Sequence, residues 1–158
     1  MKKINNICII DDNTITVFGI KKMLNSIVDC KSISHYENGE DAFINLEKIY
    51  TTKNLLPDII FLDLNMPVMD GWAFLDAFIA LNIKQPLDIQ IITSSISPQD
   101  YKKFTEQKAI THHNLCYNSK PLDKAKINPS YNIDPIKQIM VAMRLQIVKK
   151  NIKNQIFF

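Results

Sequence analysis

Asp63 closes the apolar run Ile59-Ile60-Phe61-Leu62 and is followed by Leu64-Asn65-Met66-Pro67-Val68-Met69-Asp70-Gly71. A second short run, Ile7-Cys8-Ile9-Ile10, closes on the acidic pair Asp11-Asp12. If both runs are strands of one parallel sheet, their ends bring three carboxylates together. Such a cluster repels itself unless a divalent cation or a proton neutralises part of the charge. Far downstream, Lys120-Pro121 ends another short apolar stretch and supplies a fixed cation that can join the acids. Acids, cation and the need for a metal together read as a Mg²⁺-dependent phosphoacceptor site on an α/β scaffold.

The elements needed to position these residues are legible in the hydrophobic pattern. Short β-rich runs alternate with longer helical stretches, the signature of a parallel sheet with crossover helices. Strands are predicted at Ile7–Ile10, Lys31–His35, Asp58–Leu62, Ile89–Thr93 and Asn114–Asn118. The run at 58–62 is apolar at consecutive positions, as a central strand buried on both faces must be. A first helix is capped by Asn13 or Thr14 and is expected to bury Ile15, Phe18, Met23 and Ile27. Asn38 with Asp41 marks the start of a second helix, which turns Ala42, Phe43, Leu46 and Ile49 inward. Gly71 opens a third, bearing Trp72, Leu75, Phe78 and Ile79. Pro98 suits the first turn of a fourth, reaching about Lys108. Pro129 makes 124–132 a loop, and a last helix is expected over about 134–153.

Length and composition narrow the function classes. At 158 residues, 46% hydrophobic and 22% charged, the chain suits one domain with a full core. The three cysteines, Cys8, Cys30 and Cys116, cannot all pair, so reduced thiols in the cytoplasm are expected. The N-terminal apolar run is too short for a signal-peptide core, and no stretch approaches the ~20 apolar residues of a membrane span. Residues 1–80 carry 7 Lys/Arg against 11 Asp/Glu, and residues 81–158 carry 12 against 5. The acidic half can hold a cation while the basic half faces solvent or an acidic partner. No zinc spacing, helix-turn-helix signal or aromatic-interleaved basic patch supports nucleic acid as a partner.

Taken in order, the motifs resemble the receiver domain of two-component response regulators: an acidic pair after strand one, Asp63 closing strand three, Met-Pro-x-Met-Asp-Gly after it, a hydroxyl closing strand four, and Lys-Pro closing strand five. The resemblance covers about residues 4–123. It implies a doubly wound, flavodoxin-like fold with a five-stranded parallel sheet flanked by five helices, and a site at the strands' C-terminal ends. It further implies Asp63 as phosphoacceptor, with Mg²⁺ held by Asp12 directly, by Asp11 through water, by Asp63, and by the Asn65 carbonyl. Lys120 would pair with Asp63 at rest and with a phosphoryl oxygen after transfer, aimed by a cis bond before Pro121. Thr93 would be the switching hydroxyl, with Ser94 the alternative if the strand end shifts by one. Tyr117 takes the position of a ring that swings between exposed and buried. Asn65 and Ser95 stand where this family tunes hydrolysis of the acyl phosphate. Trp72 is read as core or rim packing.

The implied function is a stand-alone, single-domain response regulator spanning 1–158. A sensor histidine kinase or histidine phosphotransfer protein would be the donor, and a downstream protein the target. It would be a self-catalysing signalling domain rather than a metabolic enzyme. The basic tail after Ile147 is too short for a DNA-binding output domain; it can extend the last helix, dock on a partner or form a homodimer contact. A receiver-like binding module that works without phosphorylation is the first rival, weakened by the intact acids, Thr93 and Lys120. An aspartate-nucleophile phosphohydrolase is the second, weakened because Asn65 stands where a second Asp is typical. His35 has no local motif, and the adjacent His112 and His113 are poorly placed to share a metal.

Overall fold

The structure is a computed structural model that describes residues 4–25 and 30–120. Five parallel strands, β1 (Asn6–Ile10), β2 (Ser32–Tyr36), β3 (Ile59–Leu62), β4 (Asp88–Thr93) and β5 (Asn114–Ser119), lie in the order β2-β1-β3-β4-β5. Between them run α1 (Thr14–Asn25), α2 (Gly39–Lys53), α3 (Gly71–Ala80) and α4 (Pro98–Ile110), four helices among the described residues. The expected loop at 124–132, the last helix and the bond before Pro121 lie outside the described residues. No helix among the described residues is long and apolar enough to cross a membrane.

Strand β3 is central and all four of its residues are buried, which explains its unbroken apolar run. The two faces of the sheet carry separate cores. One packs Ile60, Leu62, Ile89 and Ile91 against Phe74, Leu75 and Phe78; the other packs Ile7, Ile9 and Phe61 against Val17 and Ile20. Because winding runs outward from β1 in one direction and from β3 in the other, a crevice opens between their C-terminal ends.

Local chemistry sets the helix starts. Asn13 caps α1, its side chain accepting from the Ile15 and Thr16 amides at 3.0 and 3.1 Å. The Asn38 side-chain oxygen accepts from the Asp41 backbone amide at 2.8 Å, and its Nδ2 donates to the Asp41 carboxylate at 2.9 Å. Asp70 caps α3 and Ser97 caps α4, with Pro98 in the first turn. The expected buried face of α1 is corrected. Ile15 is 81% and Phe18 67% exposed, while Val17, Ile20 and Leu24 are buried. Extending the 15/18 stripe by one turn meets Lys22, which is exposed, whereas the 17/20/24 stripe stays apolar throughout. Ile27 lies outside the described residues. No disulfide joins the three cysteines, but only Cys8 is fully buried, which pushes its thiol up to about 12 and makes it inert.

Candidate functional site

Strand register delivers the site residues to one edge of the sheet. Ile10 pairs with Leu62, and the Asp63 amide donates to the Ile10 carbonyl at 2.8 Å, so Asp11 and Asp63 leave their strands side by side. Thr93 pairs with Ser119, and the Lys120 amide donates to the Thr93 carbonyl at 2.7 Å, which brings the end of β5 to the same edge. The carboxylates of Asp11, Asp12 and Asp63 each offer an oxygen within 4.8 Å of the others. Asp11 and Asp63 are buried and Asp12 is exposed.

Lys120 bridges two of these acids, its Nζ 2.8 Å from Asp11 Oδ2 and 3.1 Å from Asp63 Oδ2. The pairing with Asp63 was expected; the shorter contact to Asp11 was not legible in the sequence. Asp11 Oδ1 accepts from the Asn13 amide at 2.8 Å, so both its oxygens are engaged. Asp63 Oδ1 accepts from the Leu64 amide at 2.8 Å. Burial pushes the Asp63 carboxyl above its ordinary range, Lys120 works against that, and the charge on Asp11 adds to it. Burial pulls Lys120 the other way, but its hydrogen bonds and charge contacts with Asp11 and Asp63 outweigh it and hold the ammonium above its usual value. Among the described residues a single cation thus serves two buried carboxylates with a third beside them. Hard oxygen donors carrying excess negative charge fit a small divalent cation such as Mg²⁺.

Thr93 is fully buried at the end of β4, and its Oγ1 accepts from the Ser95 amide at 3.1 Å and lies 3.5 Å from Asn65 Nδ2. Ser94 is exposed. Tyr117 is half-buried against Phe104 and Tyr101, and its hydroxyl donates to the Ser95 carbonyl at 3.2 Å. Trp72 is a core residue, as its packing reading required, and Met66 is buried in the same core. The Asn65 side chain meets Thr93 rather than the acids. After Met66 the chain turns sharply at Val68, whose φ of 67° is rare for a β-branched residue, with the Met69 amide donating to the Pro67 carbonyl at 2.9 Å. His113 is buried and its Nδ1 accepts from the Leu87 amide at 3.3 Å, a structural role; His35 Nε2 lies 2.9 Å from the Asp11 carbonyl. Among the described residues the acidic cluster is the one group suited to a metal.

Excess charge at the site has a measurable consequence. Because the Asp63 carboxyl is raised in the fold, the unfolded chain ionises first as pH rises, and the folded state loses stability across that window. Asp63→Asn removes the burden while leaving Lys120 paired with Asp11. Without divalent cations, it should raise neutral-pH stability by about 1 kcal/mol. Urea unfolding at neutral and acid pH checks this: the gain should vanish where Asp63 is protonated in both states.

Sequence and structure comparisons fit this geometry. The sequence model of the response regulator receiver domain matches residues 7–129. Over 63 residues the chain is 41% identical to a protein-glutamate methylesterase/protein-glutamine glutaminase 1 of Methanosarcina acetivorans, covering 40% of this chain and 16% of that protein. It spans only 16% to 18% of the first curated relatives' length. Among solved structures, a two-component response regulator from Cytophaga hutchinsonii superimposes with a TM-score of 0.63 at 27% identity, covering 77% of this chain and 90% of that one. The phosphorylated cyanobacterial phytochrome response regulator RcpA superimposes with a TM-score of 0.59 at 26% identity, covering 86% and 88%. The matched span holds the whole acidic cluster and Lys120 and makes up most of the sequence, so the chain belongs to the response regulator receiver domain family.

Proposed function

We propose that Asp63 accepts a phosphoryl group from a phosphohistidine on a sensor histidine kinase or phosphotransfer protein in the cytoplasm, and that the modified domain acts as a stand-alone regulator by changing its affinity for a downstream protein. The observation that carries this reading is the convergence of Asp11, Asp12, Asp63 and Lys120 within one crevice. An Asp63 oxygen attacks phosphorus, the bond from phosphorus to the donor imidazole nitrogen breaks, and its electron pair stays on that nitrogen. Asp11, Asp12, Asp63 and the Asn65 carbonyl would hold Mg²⁺. When bound, the cation neutralises charge between the carboxylates and the incoming phosphoryl group. Lys120 follows the anion from carboxylate to phosphoryl oxygen, a task suited to a point charge on a flexible stem. Thr93 is the better switch hydroxyl, since its Oγ1 is buried within reach of Asn65 while Ser94 is exposed. Tyr117 would respond through its bond to the Ser95 carbonyl. The phosphorylated state recorded for RcpA supports the same chemistry here. Hydrolysis of the acyl phosphate by the domain itself would reset it.

Incubation with a small phosphodonor and Mg²⁺, followed by intact mass measurement, tests the reading. The expected result is a gain of one phosphoryl group (about 80 Da) that requires Mg²⁺ and is absent from Asp63→Asn. Failure to gain mass, together with failure to form a beryllofluoride adduct, would replace this reading with a receiver-like binding module that works without phosphorylation.

A further inference from the structure

Helix α4 is held unusually. Phe104 is its one buried residue, so little apolar area fixes its position. Polar contacts join it to α3. Trp72 Nε1 donates to Asp100 Oδ1 at 2.8 Å, Lys103 Nζ lies 3.2 Å from Asp76 Oδ2 and 5.3 Å from the Trp72 ring centre, and Gln107 donates to Asp76 at 2.6 Å. One of these contacts continues into the phosphoacceptor site. The other Asp100 oxygen accepts from the Ser95 hydroxyl, the Ser95 oxygen accepts from the Ser97 amide at 3.2 Å, and the Ser95 amide donates to Thr93 Oγ1 at 3.1 Å. A continuous chain of hydrogen bonds therefore runs from Thr93 through Ser95 and Asp100 to the indole of Trp72, the sole tryptophan.

We infer that Asp100 is a positioning residue that couples the state of Asp63 to α4 and α3 through Ser95 and Trp72. The inference rests on the proposed role of Thr93. A hydroxyl that turns toward a phosphoryl oxygen can no longer accept the Ser95 amide at its present place, so the 94–97 turn must rearrange. Ser97 caps α4 and Asp100 sits in its first turn, so the rearrangement acts on the end of a helix with few apolar anchors. Asp100 holds Ser95 with one oxygen and Trp72 with the other, so displacement of Ser95 alters the environment of the indole. If Asp100 only capped α4, neither Trp72 nor the affinity of the site would depend on it in this way.

The test follows Trp72 emission while beryllofluoride and Mg²⁺ are titrated into the full chain, with ¹⁹F NMR reporting the adduct independently. In the native protein, emission should change as the adduct forms. Asp100→Ala should lose most of that change and, because the resting arrangement is no longer held, bind beryllofluoride about fivefold more tightly. Asp76→Ala, which breaks the α3–α4 contacts that do not reach Ser95, should keep the emission change. Ser95→Ala cuts the same chain while leaving the α4 acid in place, and should lose the change as Asp100→Ala does. Adduct formation with unchanged Trp72 emission in the native protein, or an undiminished change in both Asp100→Ala and Ser95→Ala, would overturn the coupling alone. Absence of any adduct signal would overturn the acceptor reading and the coupling with it.

Discussion

Gly71→Ala is expected to destabilise the fold by about 3 kcal/mol, although it adds only a methyl group. Gly71 is the first residue of α3, and its amide donates to the Leu64 carbonyl at 2.9 Å. A Cβ there would lie 2.1 Å from the Asp63 carbonyl oxygen and 2.8 Å from Leu64 Cα, both backbone atoms that no side-chain rotation can clear. Either α3 lifts from the sheet, exposing Phe74, Leu75 and Phe78, or the end of β3 moves and takes Asp63 with it. Both routes damage the site, so beryllofluoride affinity should fall along with stability. Gly19→Ala is the matched control, since a Cβ there meets nothing within 4 Å. In the middle of α1, that change should stabilise the protein by roughly 0.5–1 kcal/mol. Urea unfolding of the two variants should move in opposite directions, and a Gly71→Ala midpoint equal to the native one would refute the close-approach argument.

The contrast between these glycines shows what the sequence made legible. Gly71 was visible as part of a motif, but its reason, contact with the backbone of Asp63 and Leu64, is a tertiary fact. Asp11, Asp12, Asp63 and Lys120 could be placed because each follows an apolar run, and strands in a parallel sheet end at a common edge. The caps at Asn38 and Ser97 are local chemistry, and the Asn38 start was readable for that reason. The buried face of α1 was misread because apolar residues at both 15/18 and 17/20/24 offer a stripe, and only packing on β1 and β3 chooses between them. Asp100 escaped notice altogether. Nothing in its local sequence distinguishes it from an ordinary helix-start acid, and its partners Trp72 and Ser95 reach it only after α3 and the β4–α4 turn are folded together. The Asp11 contact of Lys120 was hidden in the same way, since it depends on side-chain reach across β3 and β4.

That contact makes Lys120→Met the sharpest test of the cluster's electrostatics. Lys120 is largely buried, with 18% of its side chain exposed, and the side chains it serves are 3% exposed for Asp11 and 6% for Asp63. Methionine keeps much of the volume but leaves two buried carboxylates facing one another without a cation from the described residues. Removing one partner of a buried pair costs far more than the pair contributes, so about 3 kcal/mol should be lost at neutral pH without divalent cations. The raised Lys120 value keeps the native ammonium charged until strongly alkaline pH, so the native contribution is constant across the neutral range. In the variant, the deficit should shrink as pH falls through the carboxylate range, because protonating Asp63, whose carboxyl burial already holds above its ordinary range, removes the repulsion. It should also shrink on adding Mg²⁺, since a ligand that binds only the folded state stabilises by about 2.7 kcal/mol at a hundred times its dissociation constant. The acids the cation would neutralise are the ones Lys120 has abandoned, so the variant should gain more from Mg²⁺ than the native protein does. Thermal unfolding with and without Mg²⁺ measures this directly. An equal Mg²⁺ shift in both proteins would mean that lysine and metal act on separate charges, contrary to a single crevice in which both answer to Asp11 and Asp63.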